Sequence, residues 1–141
     1  MNDKTPLEIQ LRWVRAAVSG DFSVFDEIVS EACVDHDPAP GQSAGPDGYK
    51  MFFAQMRAAF PDLMLTPEHV ISSSSELAVA YTIEGTHLGR FMGVEPTGRY
   101  VKARGMQMIR FENGRAVERW GSSDELGILR QIGAMPEPWR Q

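Results

Sequence analysis

Two side chains near the end of the chain could do chemistry together. In the run Glu118-Arg119-Trp120-Gly121-Ser122-Ser123-Asp124-Glu125, a carboxylate follows a large aromatic by four residues. There an extended pattern gives way to a short apolar periodic one. An Asp in an apolar setting has its proton affinity raised, which suits it to act as an acid or base. Asp is also a favoured helix N-cap, and the positive end of a helix lowers a carboxylate pKa. Catalyst and cap both stay open for Asp124, and one does not exclude the other. His87 stands in a segment, 85–98, punctuated by Gly85, Gly89, Gly93, Pro96 and Gly98. An imidazole there could stabilise an enolate oxygen or protonate a new alkoxide, or it could simply fix the loop. His36, between Asp35 and Asp37, could reach a pocket rim or face solvent. If that segment is extended, Asp35 and Asp37 share one side and His36 points to the other.

Other chemistries find little support. The three histidines form no His-x-x-x-His pair and the single cysteine no Cys-x-x-Cys pair, so no metal is expected. Cys33 lacks a nucleophile motif and reads as a packed small hydrophobe. No nucleophile elbow, P-loop or dinucleotide fingerprint is present. The net charge is −5, with no basic cluster denser than Lys102 to Arg104, which speaks against nucleic acid and anionic membranes as partners. One cysteine permits no intrachain disulfide and suits a cytoplasmic setting. The N-terminal residues lack the basic and apolar regions of a signal peptide, and no apolar run approaches membrane-spanning length.

The elements that must position these residues follow from periodicity. The 141 residues, 43% hydrophobic and 23% charged, are expected to form one domain over 1–141. Thr5-Pro6-Leu7-Glu8 reads as a capping box, with Leu7, Leu11, Val14 and Val18 at helical spacing and Gly20 as the stop. Asp21 could cap a short helix with Phe22, Phe25, Ile28 and Val29 on one side. Residues 35–46 read as a loop. A third helix follows Pro46, with Tyr49, Phe52, Phe53, Met56 and Phe60 on one face and Pro61 as its end.

After Pro61 the chain becomes extended: 63–66, 68–71, 77–84, 100–111 and 115–123, with an Asn113-Gly114 hairpin turn. On the long strand Ala103, Gly105, Gln107, Ile109 and Phe111 share one face; Arg104, Met106, Met108 and Arg110 share the other. If the first set faces a cavity, Gln107 becomes a polar substrate contact. The second set then suits contact with another copy. In regular alternation Trp120 goes with Asp124 toward the pocket, unless a bulge intervenes. A last helix spans 124–132, stopped by Gly133, and the Pro-rich tail 135–139 is not helical. Helices first and an antiparallel sheet after them make an α+β order. A curved sheet with the N-terminal helices on its concave face encloses a cone-shaped pocket.

Six short motifs stand in order: Phe60-Pro61-Asp62; Gly85-Thr86-His87-Leu88-Gly89-Arg90-Phe91-Met92-Gly93; Pro96-Thr97-Gly98-Arg99; Phe111-x-Asn113-Gly114-Arg115; Glu118-x-Trp120-x-x-x-Asp124-x-x-Gly127; and Gln131-Ile132-Gly133. With them the chain resembles the SnoaL-like polyketide cyclases, of the nuclear-transport-factor-2-like fold, from Leu7 to Gly133. The resemblance implies a cone-shaped α+β enzyme that uses no cofactor. It implies an apolar polycyclic substrate, an intramolecular aldol ring closure of a polyketide ester, and a homodimer or homotetramer. Asp124 matches the acid/base position of that family, with His87, or alternatively His36, as its assistant. Substrate contacts are then expected from His36, Trp120, Gln107, Phe53, Met56 and Phe91. Relatives in this family also include isomerases and hydroxylases acting on other polycyclic or terpenoid substrates, and a non-catalytic ligand-binding module is the third alternative.

Overall fold

The computed structural model describes residues 4–134. The expectation for the tail 135–139 lies outside them. The order is α1 (Pro6–Ser19), a 3-10 turn (Phe22–Val24), α2 (Phe25–Ile28), β1 (Val29–Asp35), α3 (Pro46–Ala59), β2 (Met64–Ser72), β3 (Glu76–Thr86), β4 (Tyr100–Glu112), β5 (Arg115–Ser123) and α4 (Glu125–Gln131). The five strands make one curved, unclosed sheet in the order β1-β5-β4-β3-β2. This is the expected α+β cone.

Four strands are antiparallel neighbours, as read from the sequence. β1 was not foreseen. It adds to the edge of β5 in parallel, with Asp35 beside Arg119. Its interrupted burial, and a helical pattern running up to Val29, hid it from a period-two reading. The segments 63–66 and 68–71 are a single strand, β2, with an irregularity between Pro67 and His69.

Each element carries local reasons for its limits. Thr5 and Glu8 exchange side-chain and backbone bonds as a capping box, and Gly20 closes α1 at φ 86°. The expected face of α1 is corrected: Leu7 and Leu11 are each 44% exposed, while Pro6, Ile9, Gln10, Trp13, Ala16 and Ala17 are buried. The second face carries the large Trp13 and so removes more apolar surface from water. The polar Gln10 in its middle disguised it. Asn113 and Gly114 both adopt left-handed φ, 51° and 75°, as a two-residue hairpin turn requires. Asp21 bonds the Ser23 hydroxyl rather than capping a helix.

The core has two parts. Under α1 and α2, Trp13, Phe25, Phe53, Ile109 and Phe111 pack together, Phe25 stacking on Phe53 at 5.7 Å and meeting Trp13 edge-on at 5.4 Å. Past the end of α3, Phe60, Leu63, Ile83, Phe91, Val101 and Ile128 form the second. The segment 87–99 is tied to this part. The amides of Leu88 and Gly89 both donate to the Ala59 carbonyl at 3.0 Å, and His87 and Arg99 close its base.

Gly89 lies so near α3 that a Cβ would meet the Ala58 carbonyl oxygen. Because the obstacle is backbone, a shift of the whole segment is the only relief. Gly89→Ala is therefore expected to lower unfolding stability by about 1–3 kcal/mol in urea titration, as overpacking at a rigid contact does.

Candidate functional site

The helices leave a cavity of about 720 Å³ over the concave face of the sheet. That is within the size range of small-molecule sites. Its walls are largely aromatic and aliphatic, with Trp13, Phe52, Phe53, Met56 and Tyr81 among them. Two of the expected contacts, Phe53 and Met56, come from one face of α3, spaced three apart. Phe91 reaches the cavity from the Gly-rich segment, and Gln107 from β4.

Strand β4 shows why Gln107 is there. Residues 101, 103, 105, 107, 109 and 111 are buried in strict alternation, while 102, 104, 106 and 108 are exposed. The polar amide is carried into an apolar wall by the period of the strand, and it is only 6% exposed. A buried amide needs partners. Its Oε1 accepts from Arg119 Nε at 2.9 Å, and its Nε2 donates to Gln10 Oε1 at 3.3 Å.

Arg119 is the site residue that the sequence reading missed. A plain two-residue hairpin would set Gln107 opposite Trp120 and bring that indole into the cavity. Instead Phe111 pairs with Ala116 and Arg110 with Glu118, leaving Val117 as an extra residue on β5. A one-residue slip turns every later side chain to the opposite face. Gln107 thus pairs with Gly121, Ile109 with Arg119 and Gly105 with Ser123, and the cavity side of β5 is Arg119, Gly121 and Ser123.

Trp120 is corrected to the convex face, opposite Met108. His36 stacks on it there at 4.7 Å and bonds Glu118, which also holds Arg110. Neither Trp120 nor His36 lines the cavity. The alternation of 35–37 predicted this split, since His36 points away from the side on which Asp35 meets Arg119.

Asp35 sits beside Arg119 across the β1–β5 pairing, with both carboxylate oxygens 3.1 Å from Nη1. The two side chains are 8% and 16% exposed. The Tyr49 hydroxyl donates to Asp35 at 2.9 Å, Gln42 Nε2 at 3.1 Å and the Asp37 amide at 2.9 Å. Burial works to raise the Asp35 carboxyl. Arg119 and these three donors outweigh it and hold the group below its ordinary 3.8. Burial and the Asp35 charge push the Tyr49 phenol far above its usual value. Asp35 is therefore a fixed anion and Tyr49 a fixed donor. Burial also raises the Cys33 thiol to about 11, consistent with a packed side chain.

Asp124 caps α4: its Oδ1 accepts from Gly127 N at 2.8 Å. Its side chain opens on a shallow polar depression shared with Asp37, Ser122 and Ser123 at the cavity mouth, and is exposed. Asp37 borders both that depression and the cavity. His87 is wholly buried and does not line the cavity. Its Nδ1 accepts from the Thr97 amide at 3.2 Å and lies 3.0 Å from the Thr97 hydroxyl. The acceptor role at Nδ1 leaves the ring hydrogen on Nε2, which has no partner. Its ring packs against Phe60 at 5.8 Å. The structure therefore does not bring Asp124 and His87 together in one cavity. Among the described residues no three His, Cys, Asp or Glu side chains converge as metal ligands, and no helix is long and apolar enough to cross a membrane.

A family model described as SnoaL-like polyketide cyclase matches residues 7–132. The chain belongs to the SnoaL-like polyketide cyclases, and it is an enzyme of that cyclase type. It is 26% identical over 120 residues to the nogalonic acid methyl ester cyclase of Streptomyces nogalater, covering 84% of each chain. Among solved structures it superposes on IdmH of Streptomyces antibioticus, a candidate polyketide cyclase, with TM-score 0.81 and 29% identity, over 92% of this chain and 99% of that one. It also matches AclR of Streptomyces galilaeus, a candidate hydroxylase, with TM-score 0.78 and 29% identity, over 92% and 85%.

The Asp35–Arg119 pair yields a stability test. Asp35→Asn leaves Arg119 enclosed without its counter-charge, and is expected to cost about 3 kcal/mol at neutral pH. Since the folded carboxyl is held below its unfolded value, its contribution is full above pH 3.8 and is lost as pH falls through the lower folded value. Denaturant titrations across the acid range should show that component in the parent protein and not in the variant.

Proposed function

We propose that this protein is a polyketide ester cyclase that closes a ring by intramolecular aldol addition, without a cofactor. The observation that carries the reading is the large apolar cavity with a narrow polar strip, in a chain of the SnoaL-like family. Such a cavity suits a polycyclic, mostly apolar substrate folded so that its reacting carbons meet. A base removes a proton from a methylene activated by neighbouring carbonyls. The enolate carbon attacks a carbonyl carbon of the same molecule, one C–C bond forms, and the resulting alkoxide takes up a proton. The related cyclase named above acts on nogalonic acid methyl ester, a precedent for an ester of this class.

The base needs a carboxylate within reach of the substrate. Asp35 is excluded by its lock on Arg119. We assign the role to Asp37, because it borders the cavity as well as the mouth. Asp124, the residue that matches the family's position, lies beside it in the same depression and is the second candidate. His87 is read as the latch of segment 87–99. On the convex face Met106 and Met108 are 55% and 51% exposed beside Trp120, and this surface is assigned to a homodimer or homotetramer contact. A cytoplasmic location accords with a chain whose single cysteine, Cys33, is buried and can form no intrachain disulfide.

A second reading, hydroxylation or isomerisation of another polycyclic or terpenoid substrate, or binding alone, is favoured by one observation: the buried carboxylate next to the cavity, Asp35, is already paired with Arg119. AclR supplies the precedent for hydroxylation. Product mass separates the two, since an aldol closure leaves it unchanged and a hydroxylation adds an oxygen.

Incubation with an anthraquinone-type polyketide methyl ester, followed by mass spectrometry, is expected to give a ring-closed isomer. Asp37→Asn should lower turnover about 100-fold or more while substrate still binds. Asp124→Asn should cost roughly 1 kcal/mol or less of stability at the helix cap and keep most turnover. The reverse pattern would return the base to Asp124.

A further inference from the structure

The polar strip inside the cavity has a direction that the donors themselves impose. Arginine can only donate, so Gln107 must turn Oε1 toward Arg119 Nε. That orientation turns Gln107 Nε2 toward Gln10, which must then present its own Oε1. Gln10 lines the cavity and is left with an unengaged Nε2. The far end of the chain is fixed by Asp35, which takes Nη1. Among the described residues Arg119 Nη2 has no hydrogen-bond partner. It lies over Gly121, in the space that a Cβ at that position would fill. The run Asp35–Arg119–Gln107–Gln10 thus leaves Arg119 Nη2 and Gln10 Nε2 as unengaged donors at its cavity side.

A cation held in an apolar cavity is costly unless compensated. Here Asp35 offsets it from behind, outside the path of a ligand seated over Nη2. The ion pair presents its positive end to the space in which a substrate would sit. Donors fixed in advance by other bonds need no reorganisation when negative charge develops on a substrate oxygen.

We propose that Arg119 Nη2 and Gln10 Nε2 form an oxyanion site on the cavity floor, which receives an enolate or phenolate oxygen of an acidic polycyclic ligand. This rests on the cavity being the substrate site, but not on aldol chemistry taking place there. It makes Arg119 the residue that selects ligands with an ionisable oxygen on a fused-ring frame. It also sets the electrophilic group beside Gly121, whose amide donates to Asp37 Oδ2 at 2.9 Å, so the oxyanion donors and a carboxylate of the mouth border the same stretch of β5.

The test uses a ligand that does not react. Alizarin, a dihydroxyanthraquinone, changes its absorption when its phenol ionises. Bound to the parent protein, its ionisation midpoint is expected to fall by about one to three pH units relative to free dye. In Arg119→Met/Asp35→Asn, which removes both charges and leaves no lone buried carboxylate, the bound dye should titrate near its free value. Thermal unfolding checks that this variant is folded. Gln10→Leu should give a smaller change in the same direction. Equal midpoints in the parent and the double variant would overturn the oxyanion site, as would failure of the dye to bind the parent. Turnover of a polyketide ester, measured separately, tests the cyclase reading. A lowered midpoint without turnover would keep the site and remove the cyclase, and turnover with an unchanged midpoint would do the opposite.

Discussion

An arginine enclosed by aromatic walls can be kept only if an anion stays with it, and the position of that anion governs much of this molecule. Arg119 comes from β5 and Asp35 from β1, so the pair joins the edge strand to the sheet as well as neutralising a buried charge. Asp35 in turn gathers Tyr49 and Gln42 from α3 and the loop before it, and the Asp37 amide from the mouth. Desolvation of two ions costs several kcal/mol each, so such a cluster is weak evidence for stability as such. What it does in the structure is tie β1 to β5 at the open edge and engage Nη1, which leaves Nη2 as the donor on the cavity side.

The same pair shows how far the sequence could be read. The cone, the helix and strand order, the hairpin at Asn113-Gly114, and Gln107 facing inward all follow from period-two and period-3.6 patterns. Phe53, Met56 and Phe91 at the cavity follow from the same patterns with the family motifs. The inward position of Arg119 does not, because it depends on a single extra residue at Val117. Nothing in Arg115-Ala116-Val117-Glu118 distinguishes a bulged from a regular strand by composition. Regular alternation therefore carries Trp120 inward and Arg119 outward, the reverse of the structure. A usable signal was present in energetic terms: the bulge sets Glu118 opposite Arg110 on the exposed face and leaves Asp35 for Arg119. The missing β1 hid that signal, since Asp35 was placed on a loop.

His87 and Asp124 illustrate a different limit. Both stand at positions where chemistry and architecture ask for the same residue type. An imidazole can accept the Thr97 amide and close a loop with Phe60 against its ring, and an aspartate can accept the first free amides of α4. The buried Nε2 hydrogen of His87, without a partner, carries a cost of about 1–3 kcal/mol that the packing of the second core cluster must offset. That cost is tolerated where a segment must be held at one place: the same loop delivers Phe91 to the cavity wall, and Gly89 lets it lie on the end of α3.

The fixed charges also determine where proton traffic can enter. With Asp35 held below the ordinary carboxylate range and the Tyr49 and Tyr81 phenols pushed above theirs by burial, none of these three groups changes charge near neutrality. The cavity floor is electrostatically constant across that range: a compensated cation with donors directed inward. A proton gained or lost by a ligand near neutral pH must therefore be exchanged with the mouth, where Asp37 and Asp124 lie in one depression open to water. The two regions meet at Gly121, whose amide donates to Asp37 Oδ2 at 2.9 Å while Arg119 Nη2 fills the space beside it. A carboxylate beside Arg119 is made a poorer base by the charge that would stabilise an oxyanion. The polar strip and the mouth thus meet different requirements on one ligand, and the bulge at Val117 keeps the guanidinium on the inner side.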